Sequence, residues 1–238
     1  MSAGLPVARA RLGRRAFTLV ELLVVIVIIA ALAGLTAPMV IRQRKKADQT
    51  EAVNNARQIG IALFEFETEY GNFPDASTAD QVASATDTTP VSGITANDRF
   101  RQLVRSGIAQ SEPMFYSKTA YTKKPDNAFN TDQNALADGE VGFGMMVKSN
   151  GDGLSAAGNP SRPVVMTPFA IGLSGEKFDY DIYDGKAVLL KLDNSVTSVP
   201  VIKSSGLIKL NGKGLLQTGD DTVWGTDTTV QIAYPKSK

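Results

Sequence analysis

The chain has 238 residues, 43% of them apolar and 21% charged, enough to bury a core in one domain or two small ones. It contains no Cys and no His, which excludes a disulfide scaffold, a Cys/His metal site, a thiolate nucleophile and any triad built on imidazole. The formal charge of +1 hides an asymmetry: Arg9, Arg11, Arg14 and Arg15 form a basic front end without an acid, and the body behind it carries more acids than bases, a poor surface for nucleic acid.

Leu22 to Ile41 is an uncharged apolar run. Twenty helical residues rise about 30 Å, the thickness of a hydrocarbon core. A plain signal anchor is one reading. A cleavable secretory signal is another, with Leu22–Ala30 as its apolar region and Ala31-Leu32-Ala33 as its cleavage site. Against the second stand the continuation of the run past Ala33 and the acid Glu21 at its start.

The junction before the run reads Arg14-Arg15-Ala16-Phe17-Thr18-Leu19-Val20-Glu21. It resembles the leader junction of type IV pilins and of the pseudopilins of type II secretion, over roughly residues 9–74. The resemblance implies that a prepilin peptidase cuts between Ala16 and Phe17, that Phe17 becomes an N-methylated N-terminus, and that Glu21 is the fifth mature residue. Ala16 stands where that family usually has Gly. The resemblance further implies that Glu21 meets the terminal amine of a neighbouring subunit as a filament assembles. On physical grounds alone, a carboxylate at a bilayer edge is either functional and paired or snorkels to headgroups.

Pro38 lacks an N–H and crowds the carbonyl of Gly34, so a helix break or kink is expected between these residues. In the resembling family a Pro here accompanies local melting within filaments. Arg42, Arg44, Lys45 and Lys46 equal the leader arginines in number, so charge counting does not orient the segment. The resemblance does, placing the leader in the cytoplasm and the body outside.

Beyond the membrane, Ala52, Ala56, Ile59, Leu63, Phe66 and Tyr70 recur at helical spacing, and Gly71 with Pro74 ends the pattern. One helix is thus expected from about Phe17 to Tyr70. Residues 75–97 read as a loop rich in Ser, Thr, Ala and Asp. Asn97 or Asp98 can cap a short helix with Phe100, Leu103 and Val104 on one face, ending at Gly107. Residues 113–139 show little periodicity, and Lys123-Lys124 reads as a solvated spot. Strands are expected at Val141–Lys148, Val164–Ile171, Lys186–Asp193, Val196–Ile202, Leu207–Leu210 and Thr228–Tyr234. Pro168 argues for an edge or a bulge, and Asp193-Asn194 for a hairpin turn.

The expected fold class is α+β: a long N-terminal helix on a small antiparallel head, pilin-like. The divisions are residues 1–16, a cleaved leader; 17–41, the transmembrane helix; 42–74, its amphipathic continuation; and 75–238, a periplasmic head.

Asp179, Asp181 and Asp184 before Gly185 offer oxygen ligands, and major pseudopilins carry calcium in the C-terminal part of the head. The spacing does not match an EF-hand, and a capped, solvated turn explains the same residues. No cofactor is otherwise expected. No nucleophile elbow, phosphate loop or dinucleotide fingerprint is present, so the expected role is not enzymatic. The resemblance implies a filament-forming subunit of a type II secretion system at the bacterial inner membrane. Its implied partners are the prepilin peptidase, copies of itself, minor pilin-like subunits and an assembly platform, with no nucleic acid. A type IV pilus or DNA-uptake pilin and a membrane-anchored periplasmic binding domain are the alternatives.

Overall fold

The computed structural model describes residues 17–91, 93–128, 135–226 and 228–238. By its internal contacts the chain divides into two units, residues 1–42 and 43–238. Helix α1, Leu19–Tyr70, supplies all the described secondary structure of the first unit and the opening element of the second.

Within the first unit every described side chain is exposed, although the segment is strongly apolar. Water would penalise such a surface by about 1.5–3 kcal/mol for each large aliphatic chain, relative to burial. An 18-residue window in α1 has a mean hydropathy of 2.8, and none of it is buried. Among the described residues this is the one helix long and apolar enough to cross a membrane. The helix runs through Gly34 and Pro38 without interruption, and the Thr36 hydroxyl donates to the carbonyl of Leu32 at 3.0 Å one turn back. The helix assignment is continuous across the positions where a kink or loosening is expected.

In the second unit the pattern becomes amphipathic. Ala52, Ala56, Ile59, Leu63 and Phe66 of the expected stripe are buried, and Gly60 and Ala62 join them. Tyr70 is half-buried, with its ring stacked on Phe66 at 4.6 Å between centroids. The helix stops at Gly71, whose φ of +86° suits a residue without a Cβ.

Two shorter helices follow. Helix α2, Ala76–Thr86, occupies much of the stretch expected to be loop. Its start is fixed by a capping box. The Asp75 carboxylate accepts from the Thr78 amide at 2.9 Å, and the Asp75 amide donates to the Thr78 hydroxyl at 2.8 Å. Helix α3, Ala96–Arg105, starts two to three residues earlier than expected, with Thr95 as its cap and Asp98 as the reciprocal partner. Phe100 and Leu103 are buried as expected, and Val104 packs half-buried against the same core. A single 3-10 turn, Glu112–Phe115, then carries Phe115 into contact with Phe100, ring centroids 5.0 Å apart.

The strands are β1 (Gly144–Lys148), β2 (Pro163–Thr167), β3 (Lys186–Lys191), β4 (Val196–Pro200), β5 (Lys209–Leu210), β6 (Lys213–Gly214) and β7 (Val230–Ala233). Five of them form an antiparallel sheet in the order β4-β3-β2-β1-β7, and β5 pairs with β6. The expected hairpin is β3–β4, with Leu190 opposite Val196 and the turn at Asp193-Asn194. Strand β2 is internal and fully buried, so Pro168 does not mark an edge; it lies just past the strand's end. The irregularity in β2 falls between Pro163 and Val165, at the end opposite the one Pro168 pointed to. The sheet's buried residues Met145, Val165, Met166, Val188, Leu189 and Leu190 join Ile59, Leu63 and Phe66 of α1 in one core. The fold is α+β, a long helix with a small antiparallel sheet, as expected.

Candidate functional site

The described residues of the N-terminal motif begin at Phe17, which is 78% exposed and precedes the first helical turn. Ala16 and the four leader arginines lie outside the described residues. Thr18 caps α1. Its hydroxyl accepts from the Glu21 amide at 3.2 Å, and the Glu21 carboxylate accepts from the Thr18 amide at 2.9 Å and from the Thr18 hydroxyl at 2.7 Å. This is a Thr-x-x-Glu capping box. The signal lies in the sequence as Thr18 three residues before Glu21. An acid in the first turn also suits the positive end of the helix dipole. The carboxylate of Glu21 therefore has a local partner while the subunit is alone.

The acid loop forms a side-chain-closed turn, one of the two readings of its sequence. The Asp181 amide donates to the Asp179 carboxylate at 2.8 Å, which makes a side-chain-closed turn. Asp184 and Gly185 both take positive φ, +52° and +82°, and Gly185 packs under the Tyr180 ring. The carboxylates of Asp179, Asp181 and Asp184 do not gather into a three-acid group. One carboxylate closes the turn, and closeness in sequence is not convergence of the three carboxylates in space.

Among the described residues a three-acid group forms elsewhere. One carboxylate oxygen from each of Glu112, Asp126 and Glu140 lies within 4.8 Å of the others. Glu112 opens the 3-10 turn, Asp126 sits in the loop after it, and Glu140 sits in the turn before β1. Glu112 and Glu140 are 0% and 1% exposed. Burial pushes the Glu112 carboxyl above the usual carboxylate range, and the Glu140 and Asp126 charges push the same way, while the Leu136 and Asn127 amides push it down. No spacing rule would have found this set, because its members come from three separate turns.

Two surface clefts are found among the described residues. One of about 420 Å³ is lined by Lys148, Ser149, Asn150, Thr228 and Thr229, and another of about 330 Å³ by Lys46, Gln49, Thr50, Val53 and Lys186. Neither lining contains a carboxylate to act with these groups. Trp224 is fully buried, its indole N–H donating to the Leu215 carbonyl at 2.6 Å, so it is a core residue rather than a ligand platform.

A family model described as the prokaryotic N-terminal methylation motif matches residues 11–37. The motif stands at the start of a long apolar-to-amphipathic helix joined to a small antiparallel sheet, a pilin-like α+β arrangement. The chain is similar to type II secretion system core protein G of several bacteria. It is 28% identical over 130 residues to that protein of Pectobacterium carotovorum subsp. carotovorum, covering 54% of this chain and 70% of the relative. It is 27% identical over 141 residues to that of Escherichia coli (strain K12), covering 59% and 83%. It is 29% identical over 127 residues to that of Aeromonas hydrophila, covering 53% and 75%. No solved structure matches.

Proposed function

We infer that the chain is a pseudopilin-type filament subunit of a type II secretion system, with a structural rather than catalytic role. One observation carries this reading: the similarity to core protein G extends over 127–141 residues, whereas the methylation motif spans only 11–37. A shared leader on an unrelated head would match over the leader alone. The pilus and binding-domain alternatives gain nothing from these relatives, all three of which are secretion core proteins.

In this reading the prepilin peptidase severs the Ala16–Phe17 bond and Phe17 is methylated on its new amine. Leu22–Ile41 holds the subunit in the inner membrane with the head in the periplasm. The subunit then leaves the bilayer by exchanging lipid contacts for helix–helix contacts with other subunits, and Glu21 sets the register by meeting a neighbour's amine. Inside the filament the helix opens between Gly34 and Pro38, where the missing proline N–H already removes one rung. The work done is mechanical.

Mass spectrometry of the N-terminal peptide from the mature protein tests this directly. A methylated Phe17 supports the reading. A chain starting at Gly34 would mean a secretory signal, and an uncut Met1 a plain anchor; either result overturns it.

A further inference from the structure

The three-acid group is a stronger feature than a chance meeting of surface acids. Oε1 of Glu112 accepts from the Leu136 amide at 2.7 Å, while Oε2 is buried and has no hydrogen-bond partner. A buried carboxylate oxygen left unpaired keeps the full cost of losing its water. Oε2 of Glu140 accepts from the Ala137 amide at 2.8 Å; its Oε1 is buried without a hydrogen bond, and the nearest cation, Lys123 Nζ, stands off at 3.6 Å on a half-exposed side chain. Asp126 is exposed and closes the group from the solvent side, with one oxygen accepting from the Ala128 amide at 2.9 Å. Three carboxylates against one lysine leave an excess of negative charge in a mostly buried space.

Beyond the assembly role, we propose that Glu112, Asp126 and Glu140 bind a single hard divalent cation of the calcium or magnesium kind. Oxygens held within 4.8 Å of one another match the span across an ion whose ligands sit about 2.3–2.6 Å away. The donor set is all oxygen, which disfavours soft metals. The ion would give the unpaired Glu112 oxygen a partner and neutralise the repulsion between Glu112 and Glu140. It would also tie the 3-10 turn, the loop holding Asp126 and the turn before β1 into one unit, and so brace the entry to the sheet. The exposed Asp126 provides the route in.

The test is the melting of the full-length chain in detergent after EDTA treatment, with calcium, magnesium or manganese added back. Saturating ion should raise the midpoint by roughly 5 °C. Glu112→Gln and Glu140→Gln should abolish the rise, and calorimetry should find one ion per chain with at least tenfold weaker binding in Asp126→Asn, an exposed change that leaves the fold intact. A variant carrying Asp179→Asn, Asp181→Asn and Asp184→Asn together should respond as the unaltered chain does. No rise with any of the three ions overturns the proposal, and so does a rise that survives Glu112→Gln, unaltered binding in Asp126→Asn, or a response lost in the triple variant.

Discussion

Gly60 of α1 and Asn194 of the β3–β4 turn touch so closely that no side chain fits between them. A Cβ on Gly60 would overlap the Asn194 amide oxygen and stand 3.0 Å from Cδ1 of Leu190. Asn194 holds φ at +59°, a conformation that Asn and Gly tolerate and most residues avoid. The glycine thus lets the helix lie directly on the hairpin turn, at a helix-propensity cost of about 1 kcal/mol.

Gly60→Ala should therefore destabilise the head, although in an open helix the same change would stabilise it. Overpacking of this kind costs about 1–3 kcal/mol. Adding Asn194→Gly keeps the positive φ and removes the obstructing amide, so the double variant should regain much of the loss. Urea denaturation of the four chains, read as a double-mutant cycle, checks this. A neutral or stabilising Gly60→Ala would show that the turn yields freely.

Asp75 is expected to control acid stability. Its side chain is 3% exposed. Burial alone would raise its pKa, but hydrogen bonds from the Thr78 amide, the Ser77 hydroxyl and the Gly153 amide outweigh it and hold the carboxyl below its ordinary value. A depressed folded value means that the unfolded chain takes up the proton first. The stabilisation is then fully present above the unfolded carboxylate range near pH 4 and is lost as pH falls through the folded value. Asp75→Asn leaves the Gly153 amide facing an amide that cannot accept both bonds, at about 1–3 kcal/mol. Urea midpoints measured from pH 6 to pH 2 should fall less steeply in Asp75→Asn than in the unaltered chain. Parallel curves would remove Asp75 from this role.

What was legible in the sequence followed from periodicity and from strong local chemistry. The stripe from Ala52 to Phe66 was readable because burial on one helical face enforces its spacing, and the β3–β4 hairpin because KAVLLKLD runs into an Asp-Asn turn. Helix α2 was missed because Ala, Ser and Thr dilute its apolar pattern, leaving the Asp75–Thr78 box as its only sharp signal. The acids of residues 179–184 drew attention because they are near one another in sequence, yet Asp179 turns inward to its own loop. Glu112, Asp126 and Glu140 could not be found that way. Their meeting depends on bringing together three turns that no periodic pattern in the sequence links.

The capping box at Thr18 sharpens the test of Glu21. Replacing Glu21 by Ala removes two things together: the acceptor for the Thr18 amide and the negative charge. The first is worth about 1 kcal/mol at the helix start. The second is what a neighbour's terminal amine would seek. Glu21→Gln separates them, because its amide oxygen still accepts from Thr18 while the charge is gone. If charge pairing drives assembly, Glu21→Gln should enter the membrane, be cut before Phe17, and yet fail to appear in sheared, sedimented filaments, just as Glu21→Ala fails. Thr18→Ala, which loses the cap but keeps the charge, should assemble. Filaments from Glu21→Gln together with none from Thr18→Ala would assign the residue to helix capping and take the assembly role from its charge.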